Sequence, residues 1–453
     1  MASSSSPASE KCSKRPSTIH LRDEGLCHSP YTAKTYRMSI KTKRLFQGDT
    51  VIWIVFFFLC MISLVEVFSA ASSLSYGGGS YMQPLFKQAG FLALGTAVVW
   101  FVHSVPCRYF KIIPVLGYPI SVLLLVLTIA MGATLNDGAR WIDFLGIRFQ
   151  PSEIAKGVLV ITVALVLSFG QTEKGAAPDV MKRILWLTGI VCGLIFPENF
   201  STAVLLFGTI LVMMFVGRVP LKQMGRLMAC LIGLLLFVIL LIKILPADVI
   251  NNNKLLHRMD TWTERLTSHV ESRDSVGVKE ALQENPQTNH AKIAIASSNV
   301  FGKMPGNSEE RDHLPQAFSD FIYAIIIEEL GIIGAVVVVF LYVILLFRAG
   351  RIASRCERNF PAFLTMGLAV LLVMQAMMNV LVAVGLAPVT GQPLPLISRG
   401  GTSTLINCVY FGMILSVSRY ARKVEKKPKT AELPAQIEED EHAAEFQKDD
   451  GLQ

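Results

Sequence analysis

Long apolar runs alternate with short polar connections along most of this chain. A helix needs about 20 apolar residues to cross the hydrocarbon core of a bilayer. On this criterion the pattern predicts ten transmembrane helices, at 51–71, 89–105, 112–131, 154–167, 184–196, 202–216, 228–245, 321–347, 363–384 and 404–417. The fourth to sixth are short, so two of them are expected to be tilted or to form a hairpin around Pro197.

Lysine and arginine residues orient these predicted helices. With the N-terminus inside, the inner connections 106–111, 168–183, 217–227 and 348–362 are rich in positive charge, and the short outer connections are poor in it. Because cytoplasmic loops carry the excess of Lys and Arg, both termini are predicted to lie in the cytoplasm, which requires an even number of spans. The chain is therefore predicted to be an all-α polytopic membrane protein.

Composition agrees with this fold class. Apolar residues make up 52% of the 453 residues and charged residues 17%, where a soluble domain has about 25% charged residues. The mean hydropathy is +0.48. These values exclude a disordered chain, a disulfide scaffold and most soluble enzymes. The net charge of +8 does not indicate nucleic-acid binding, since the basic residues flank apolar runs. The eight cysteines form no CxxC pair, which predicts free thiols and no zinc site.

Three regions follow from the distribution of charge. Residues 1–47 form a basic polar lead, and residues 421–453 an acidic tail; both are expected to be disordered and cytoplasmic. Residues 48–420 form the membrane domain. Its connection 246–320 is long and polar, and it is predicted to be an ordered extracytoplasmic cap. The residues expected to pack this cap down are Trp262, Ile293, Ile295, Val300 and Phe301.

Charged residues at membrane depth need a structural or functional reason, because placing a charge there costs at least about 2.5–3.5 kcal/mol of insertion free energy. In the stretch 138–160, Glu153 and Lys156 are spaced i, i+3, so they lie on one helix face and can pair. Arg148 and Gln150 precede that helix, near the headgroups. Two interpretations stay open. The stretch is either a cationic site for a phosphate-bearing lipid headgroup or an ion pair that holds the bundle together.

Two further stretches, 314–334 and 391–412, interrupt the apolar pattern. In the first, Ser319 or Asp320 stands at a helix start, where such a residue is ordinarily a cap. The carboxylate of Asp320 could instead be a general base for an extracytoplasmic substrate. In the second, two prolines and two adjacent glycines exclude a regular helix, which predicts either a re-entrant segment that lines a cavity or a plain loop.

The three stretches resemble the SEDS family of membrane glycosyltransferases (FtsW/RodA/SpoVE). The resemblance covers about residues 48–420 and rests on segments in the family's order and spacing: GARWIDFLGIRFQPSEIAK, FGKMPGNSEERDHLPQAFSDFIYAIIIEELGIIG and GQPLPLISRGGTSTLINCVYFGMILSVSR. The segment VEVFSAASSL in the first span, together with the long lead, looks more like the cell-division member of the family than the elongation member.

The resemblance implies a peptidoglycan glycosyltransferase that polymerises lipid II into glycan strands at the outer face of the bacterial cytoplasmic membrane, during septal cell-wall synthesis. Undecaprenyl pyrophosphate would be released. The family's essential carboxylate corresponds to Asp320, and its other site positions correspond to Arg148, Gln150, Glu153, Lys156 and Ser398. As partners it implies a class B penicillin-binding protein, which is a transpeptidase, and other division proteins. A divalent cation at Asp320 is compatible with this chemistry, although the sequence shows no metal-ligand cluster.

The sequence departs from the family pattern at three places. Arg399 stands where the family often has a tyrosine, and Phe318-Ser319 precede the aspartate in place of His-Thr. The usual Gln-Pro-Asp-Leu-Gly-Thr motif appears as PENFSTA at 197–203, with its acid either at Glu198 or replaced by Asn199. The role of that turn is therefore open.

The expected chemistry begins from a sugar 4-hydroxyl, which is a poor nucleophile at neutral pH. Asp320 is expected to take its proton, while Lys156, Arg148 and Arg399 bind or neutralise the pyrophosphate that leaves. A lipid II flippase and a non-catalytic division scaffold stay as alternatives. A polymerase differs from a transporter by its product, which is glycan strands made from lipid II already on the outer side.

Overall fold

The described part of the molecule is a bundle of long helices. The structure, a computed structural model, describes residues 47–74, 82–131, 142–144, 147–173, 175–244, 286–310 and 320–425. The predicted lead, most of the predicted outer connection and nearly all of the acidic tail lie outside these residues, as do Trp262 and Ser319.

Eleven α-helices are found among the described residues. They are α1 Thr50–Leu74, α2 Met82–Ser104, α3 Ile112–Met131, α4 Pro151–Phe169, α5 Pro178–Ile195, α6 Phe200–Val216, α7 Leu221–Ile244, α8 Pro286–Ser297, α9 Ile322–Ser354, α10 Asn359–Ala383 and α11 Thr402–Glu425. A 3-10 helix, Cys107–Lys111, precedes α3. Two antiparallel hairpins lie beside α4: β1 Ile142–Phe144 pairs with β2 Ile147–Phe149, and β3 Gln171–Thr172 pairs with β4 Gly175–Ala176.

Every predicted span coincides with one of these helices; α8 is the additional one. Within the described residues, six helices (α1 to α4, α9 and α10) are long and apolar enough to cross a membrane, and α6 is apolar but shorter. The prediction of a polytopic α-helical membrane protein is confirmed, while the count of ten spans stays a prediction. The hairpin expected around Pro197 is present, since α5 ends at Ile195 and α6 begins at Phe200.

Local sequence explains where the helices near the site begin. Pro151 occupies the first position of α4, where a missing amide hydrogen costs nothing. Glu153 in the same turn is favoured by the helix dipole. Asn199 is the N-cap of α6, and its Oδ1 accepts a hydrogen bond from the amide of Thr202 at 3.1 Å.

Helix α4 lies in the interior of the bundle. It packs against α3, α5, α6, α10 and α11, and most of its residues are buried, including Glu153 and Lys156. A helix that is apolar on every side except for two charged residues must bury those charges with their partners. The position of α4 therefore brings this pair into the protein core.

The predicted eighth span is not one continuous membrane helix. Gly331, with φ 69° and ψ −173°, divides α9 into Ile322–Leu330 and a second part that ends at Ser354. The first part, here called the half-helix (Ile322–Leu330), is buried along 321–329. The predicted span over 321–347 is therefore interrupted by a break that the sequence pattern did not indicate.

Burial explains the division of α9. Beyond the break, apolar side chains such as Ile332, Val336 and Phe340 are exposed, as expected for a surface that faces lipid. Glu328 and Glu329 lie just before the break and are both fully buried. Two adjacent carboxylates in a lipid-facing helix would be expensive, so the half-helix that carries them is enclosed by protein.

The segment between α10 and α11, residues 384–401, is irregular, and its part 390–398 is mostly buried. The hydroxyl of Tyr342 donates to the carbonyl oxygen of Pro395 at 2.5 Å, and that of Ser63 donates to the carbonyl oxygen of Ile397 at 2.9 Å. Leu396 has a φ of 66°, which the surrounding contacts hold in place. The sequence left open a re-entrant segment or a plain loop. The segment resembles the first of these, because its side chains pack between helices and not on the surface of the bundle.

The described part of the outer connection, 286–310, rests on α9 through α8. Ala291 and Ala294 are buried in this contact. Ile295 is partly buried there, as predicted. Three of the other residues expected to pack the connection down are instead exposed: Ile293, Val300 and Phe301. The small alanine side chains let α8 approach α9 closely, and larger side chains on that face of α8 would keep the two helices apart.

Candidate active site

A buried ion pair on α4 is the first element of the site. The ammonium of Lys156 lies 2.7 Å from Oε1 of Glu153, and their side chains are 0% and 4% exposed. The i, i+3 spacing on one helix face makes this contact geometrically available. A buried lysine is stabilised in its charged form only when it is paired and hydrogen-bonded, so each residue depends on the other.

Lys156 also connects α4 to two distant parts of the chain. Its ammonium lies 3.5 Å from Oε1 of Gln392 in the irregular segment. The amide Nε2 of Gln392 in turn donates to the hydroxyl oxygen of Thr202 at 2.5 Å, in the first turn of α6. One glutamine side chain therefore joins the buried cation, the irregular segment and the turn that carries the PENFSTA motif.

Asn379 on α10 extends the network to Asp320. Its Nδ2 donates to the backbone carbonyl oxygen of Asp320 at 2.9 Å and to that of Gln392 at 2.8 Å. The stretches around Glu153, Asp320 and Gln392, which are far apart in sequence, thus meet at one place. The structure brings together the three stretches that the sequence singled out.

Helix α11 closes the site on a further side. The hydroxyl of Ser403, in its first turn, donates to Oε2 of Glu153 at 3.4 Å, and that of Tyr410 donates to the backbone carbonyl oxygen of Glu153 at 3.0 Å. A carboxylate held by a cation and a hydroxyl has a defined orientation. The contacts of Ser403 and Tyr410 therefore hold Glu153, and with it the ion pair to Lys156, against α11.

Four helices begin around this network. Lys156 and Glu153 lie in the first two turns of α4, Thr202 in the first turn of α6, Ser403 in that of α11, and Asp320 just before α9. Each helix N-terminus carries roughly half a unit of positive charge from its unpaired amide groups. Such an arrangement favours a negatively charged ligand, and phosphate groups bind readily at helix N-termini.

Asp320 lies at the entrance to the half-helix rather than at its cap position. Phe321 is the N-cap and makes no side-chain cap hydrogen bond, and Asp320 precedes it. Asp320 is partly exposed, whereas the residues that follow it are buried. A carboxylate next to a buried helix and still partly open to its surroundings can accept a proton from a bound molecule.

Comparison with known proteins adds to this geometry. Residues 49–423 match the model of the FtsW/RodA/SpoVE family, described as a cell cycle protein. This chain belongs to the FtsW/RodA/SpoVE family. The resemblance predicted from the three sequence segments is confirmed.

Two curated relatives of this family member span nearly its whole membrane domain. A probable peptidoglycan glycosyltransferase FtsW from Coxiella burnetii is 30% identical over 376 residues, which cover 81% of this chain and 95% of the relative. A protein of the same name from Marinomonas mediterranea is 27% identical over 412 residues, which cover 88% and 94%. Both relatives carry the name of the cell-division member, as predicted from the first span and the lead.

Solved structures support the fold. A chain from a peptidoglycan synthase complex, described as coordinating polymerization and crosslinking, superposes with a TM-score of 0.62 at 23% identity, covering 83% of this chain and 98% of that one. The rod shape determining protein RodA of Thermus thermophilus superposes with a TM-score of 0.56 at 24% identity, covering 82% and 97%. At these identities the likeness shows the fold alone.

The remaining predicted residues of the FtsW/RodA/SpoVE site take different positions. Gln150 is the N-cap of α4, and its carbonyl oxygen accepts from the amide of Glu153. Arg148 lies on β2, opposite Asp143, but its side chain is outside the described part. The hydroxyl oxygen of Ser398 accepts from the amide of Leu394 at 2.7 Å, so it holds a turn of the irregular segment.

Arg399 follows that turn and is exposed. Within the described ranges, no group of three or more His, Cys, Asp and Glu residues is arranged to hold a metal ion.

Sequence reasoning missed Thr202, Asn379 and Gln392. Each is a polar residue that is buried at 3% exposure or less. Asn379 interrupts the apolar ninth predicted span, and Gln392 precedes the Pro-Leu-Pro sequence of the irregular segment. A polar side chain within or beside an apolar run is the signal that would have pointed to them, because such a group must find hydrogen-bond partners when it is buried.

Proposed function

We propose that this protein is a peptidoglycan glycosyltransferase that polymerises lipid II at the outer face of the cytoplasmic membrane, with release of undecaprenyl pyrophosphate, in septal wall synthesis. The observation that carries the proposal is the chain of contacts from Asp320 through Asn379 and Gln392 to Lys156, in a member of a family whose relatives are named glycosyltransferases.

In this proposal Asp320 is the catalytic base. Its carboxylate accepts the proton of the acceptor 4-hydroxyl as the oxygen attacks the anomeric carbon of the donor sugar. The bond from that carbon to the pyrophosphate oxygen breaks, and its electron pair leaves with the lipid pyrophosphate. A well-placed base of this kind contributes roughly 10²–10⁴-fold to the rate. A single displacement inverts the anomeric centre and needs no second carboxylate.

The leaving pyrophosphate is assigned to the positive part of the site. Its growing charge is stabilised by fixed cations and dipoles more effectively than by water. The helix N-termini around Lys156 supply dipoles, and the exposed guanidinium of Arg399 supplies an accessible cation. Arg148 is assigned the same task. Lys156 is fully buried, so its part is to hold Gln392 and Glu153 in the arrangement that the substrate meets.

Two buried acceptors suit a sugar substrate. Among the described residues, Oδ1 of Asn379 and Oε1 of Gln375, one turn apart on α10, accept no hydrogen bond. An unsatisfied buried acceptor costs about 1–3 kcal/mol, which a bound molecule rich in hydroxyl groups would recover. A saccharide has this chemistry, whereas a lipid tail does not.

A class B penicillin-binding protein is proposed as the partner that cross-links the new strands, in a complex of the kind described for the structural neighbour. The protein itself is a multi-pass membrane protein. We propose a septal location, which its likeness to relatives named FtsW supports.

A lipid II flippase is the second candidate, because the half-helix and the irregular segment together resemble the broken helices at transporter sites. Purified full-length protein and its transpeptidase partner, given fluorescent lipid II in detergent, separate the two. Detergent offers no second side to which lipid could be moved. Polymerisation there gives long glycan strands, and a product no larger than lipid II would refute the proposed function.

A further inference from the structure

A loop of the outer connection packs against the break of α9. Residues Val300–Glu309, here called the clasp, lie against Gly331. A Cβ atom added at Gly331 would meet the carbonyl oxygen of Val300 at 2.3 Å, and one added at Gly302 would meet that of Glu329 at 2.2 Å. Both glycines have positive φ, 69° at Gly331 and 73° at Gly302. Two backbones therefore touch where any side chain would keep them apart.

The clasp replaces hydrogen bonds that the half-helix loses at the break. The last carbonyl groups of a helix have no partner within it. Here the carbonyl oxygens of Glu328 and Glu329 accept from the amides of Lys303 and Met304, both at 2.9 Å. The half-helix thus ends on the clasp.

The carboxylate of Glu328 fastens the two together. It accepts hydrogen bonds from the hydroxyl of Ser308 at 2.5 Å, the amide of Glu309 at 3.1 Å and the ammonium of Lys303 at 3.0 Å, and it is fully buried. The hydrogen bond to Glu328 raises the pKa of Lys303 above its usual value. Because this carboxylate is buried and depends on three donors, loss of any one of them is expected to destabilise the contact strongly.

Helix α1 adds a second fastening. The hydroxyl of Ser69 donates to Glu329, and the same oxygen accepts from the amide of Gly306 at 3.1 Å. The clasp is therefore joined both to the half-helix and to the first helix of the bundle. The far end of the half-helix is held from two sides.

The near end of the half-helix carries Asp320. Residues 321–329 are buried throughout, and protein interiors pack too densely for one end of such a segment to move alone. We propose that Glu328 is a positioning residue: by fastening the clasp to the half-helix, it sets the place of Asp320 for proton transfer. This rests on the proposed function, since Asp320 is a base only in that account.

The test uses full-length protein with its transpeptidase partner, and combines hydrogen exchange with lipid II kinetics. Glu328→Ala removes the fastening from the half-helix, and Ser308→Ala removes one donor from the clasp while leaving α9 intact. Glu309→Gln is the matched control, because its exposed side chain also contacts Lys303, at 3.3 Å, and its amide is kept.

In Glu328→Ala, the protection of backbone amides from hydrogen exchange should fall at least about tenfold in the clasp and in the half-helix. In the same variant kcat should fall at least about tenfold, while KM for lipid II stays within about twofold of the wild-type value. Ser308→Ala should shift both readouts the same way to a smaller extent, and Glu309→Gln neither. Unchanged half-helix protection, or a loss shared between kcat and KM, would overturn the inference.

The kinetics of Asp320→Asn separate this inference from the proposed function. If Asp320→Asn is inactive and Glu328→Ala polymerises at the wild-type rate, the inference fails alone. If Asp320→Asn polymerises at the wild-type rate, Asp320 is not the base and both accounts fail together.

Discussion

Asn379 holds the backbone of Asp320 directly, through a hydrogen bond of 2.9 Å from its Nδ2 to the Asp320 carbonyl oxygen. The same nitrogen donates to the carbonyl oxygen of Gln392 at 2.8 Å. One buried amide on α10 therefore sets the distance between the candidate base and the segment that contacts Lys156.

Asn379→Leu should damage both stability and polymerisation. The substitution keeps the side-chain volume similar but removes the hydrogen bonds to the carbonyl oxygens of Asp320 and Gln392, of which the bond to Gln392 is fully buried. Loss of a buried hydrogen bond costs about 1–3 kcal/mol. Thermal unfolding should begin at a lower temperature, and the polymerisation rate should fall at least about tenfold. Asn407→Leu on α11 is the matched control, because Asn407 is also a buried asparagine whose amide oxygen, like that of Asn379, accepts no hydrogen bond among the described residues, and it lies on a different helix from the contact with Asp320. Equal effects of the two variants would contradict the proposed link.

The ion pair of Glu153 and Lys156 can be tested for a role beyond stability. Lys156→Met should destabilise the protein by about 3–5 kcal/mol, because it leaves a buried carboxylate without its cation. Combining it with Glu153→Gln removes both charges and should recover most of that loss in a thermal unfolding measurement. We expect polymerisation to stay low in the double variant. Recovery of activity together with stability would mean that the pair only holds the bundle together.

Gly331 should tolerate no side chain. In Gly331→Ala the new methyl group would lie against the carbonyl oxygen of Val300 at 2.3 Å, in a backbone conformation with φ 69° that costs an alanine about 1–3 kcal/mol. We expect less folded protein in detergent and a lower unfolding temperature. Gly189→Ala on α5 is the control, since nothing lies within 4 Å of the new atom and helix propensity favours alanine by about 1 kcal/mol. Similar stability of the two variants would speak against the clasp.

The sequence allowed the helices to be predicted, since each apolar run is local and its length is set by the bilayer. It also allowed the pairing of Glu153 with Lys156, because the helix repeat brings i and i+3 together. The break at Gly331 was missed because apolar residues continue on both sides of it, from Ile325 to Val339. The adjacent Glu328 and Glu329 were the available sign of that break.

The contacts of the site could not be predicted in the same way. Lys156 and Gln392 are 236 residues apart, and Asp320 and Asn379 are 59 apart. No sequence periodicity connects such positions, because their contact depends on how several helices and the irregular segment pack together. The family resemblance pointed to Asp320 and Lys156, but it did not indicate that Asn379 and Gln392 lie between them.

The most direct test is polymerisation of lipid II by purified Asp320→Asn with its transpeptidase partner. The substitution keeps the shape of the side chain and removes its capacity as a base. Asp179→Asn is the control, since that exposed carboxylate lies in the first turn of α5, away from the site. We predict that Asp320→Asn folds normally and makes no glycan strands, while Asp179→Asn polymerises as wild type does. Strand synthesis at the wild-type rate by folded Asp320→Asn would contradict the account.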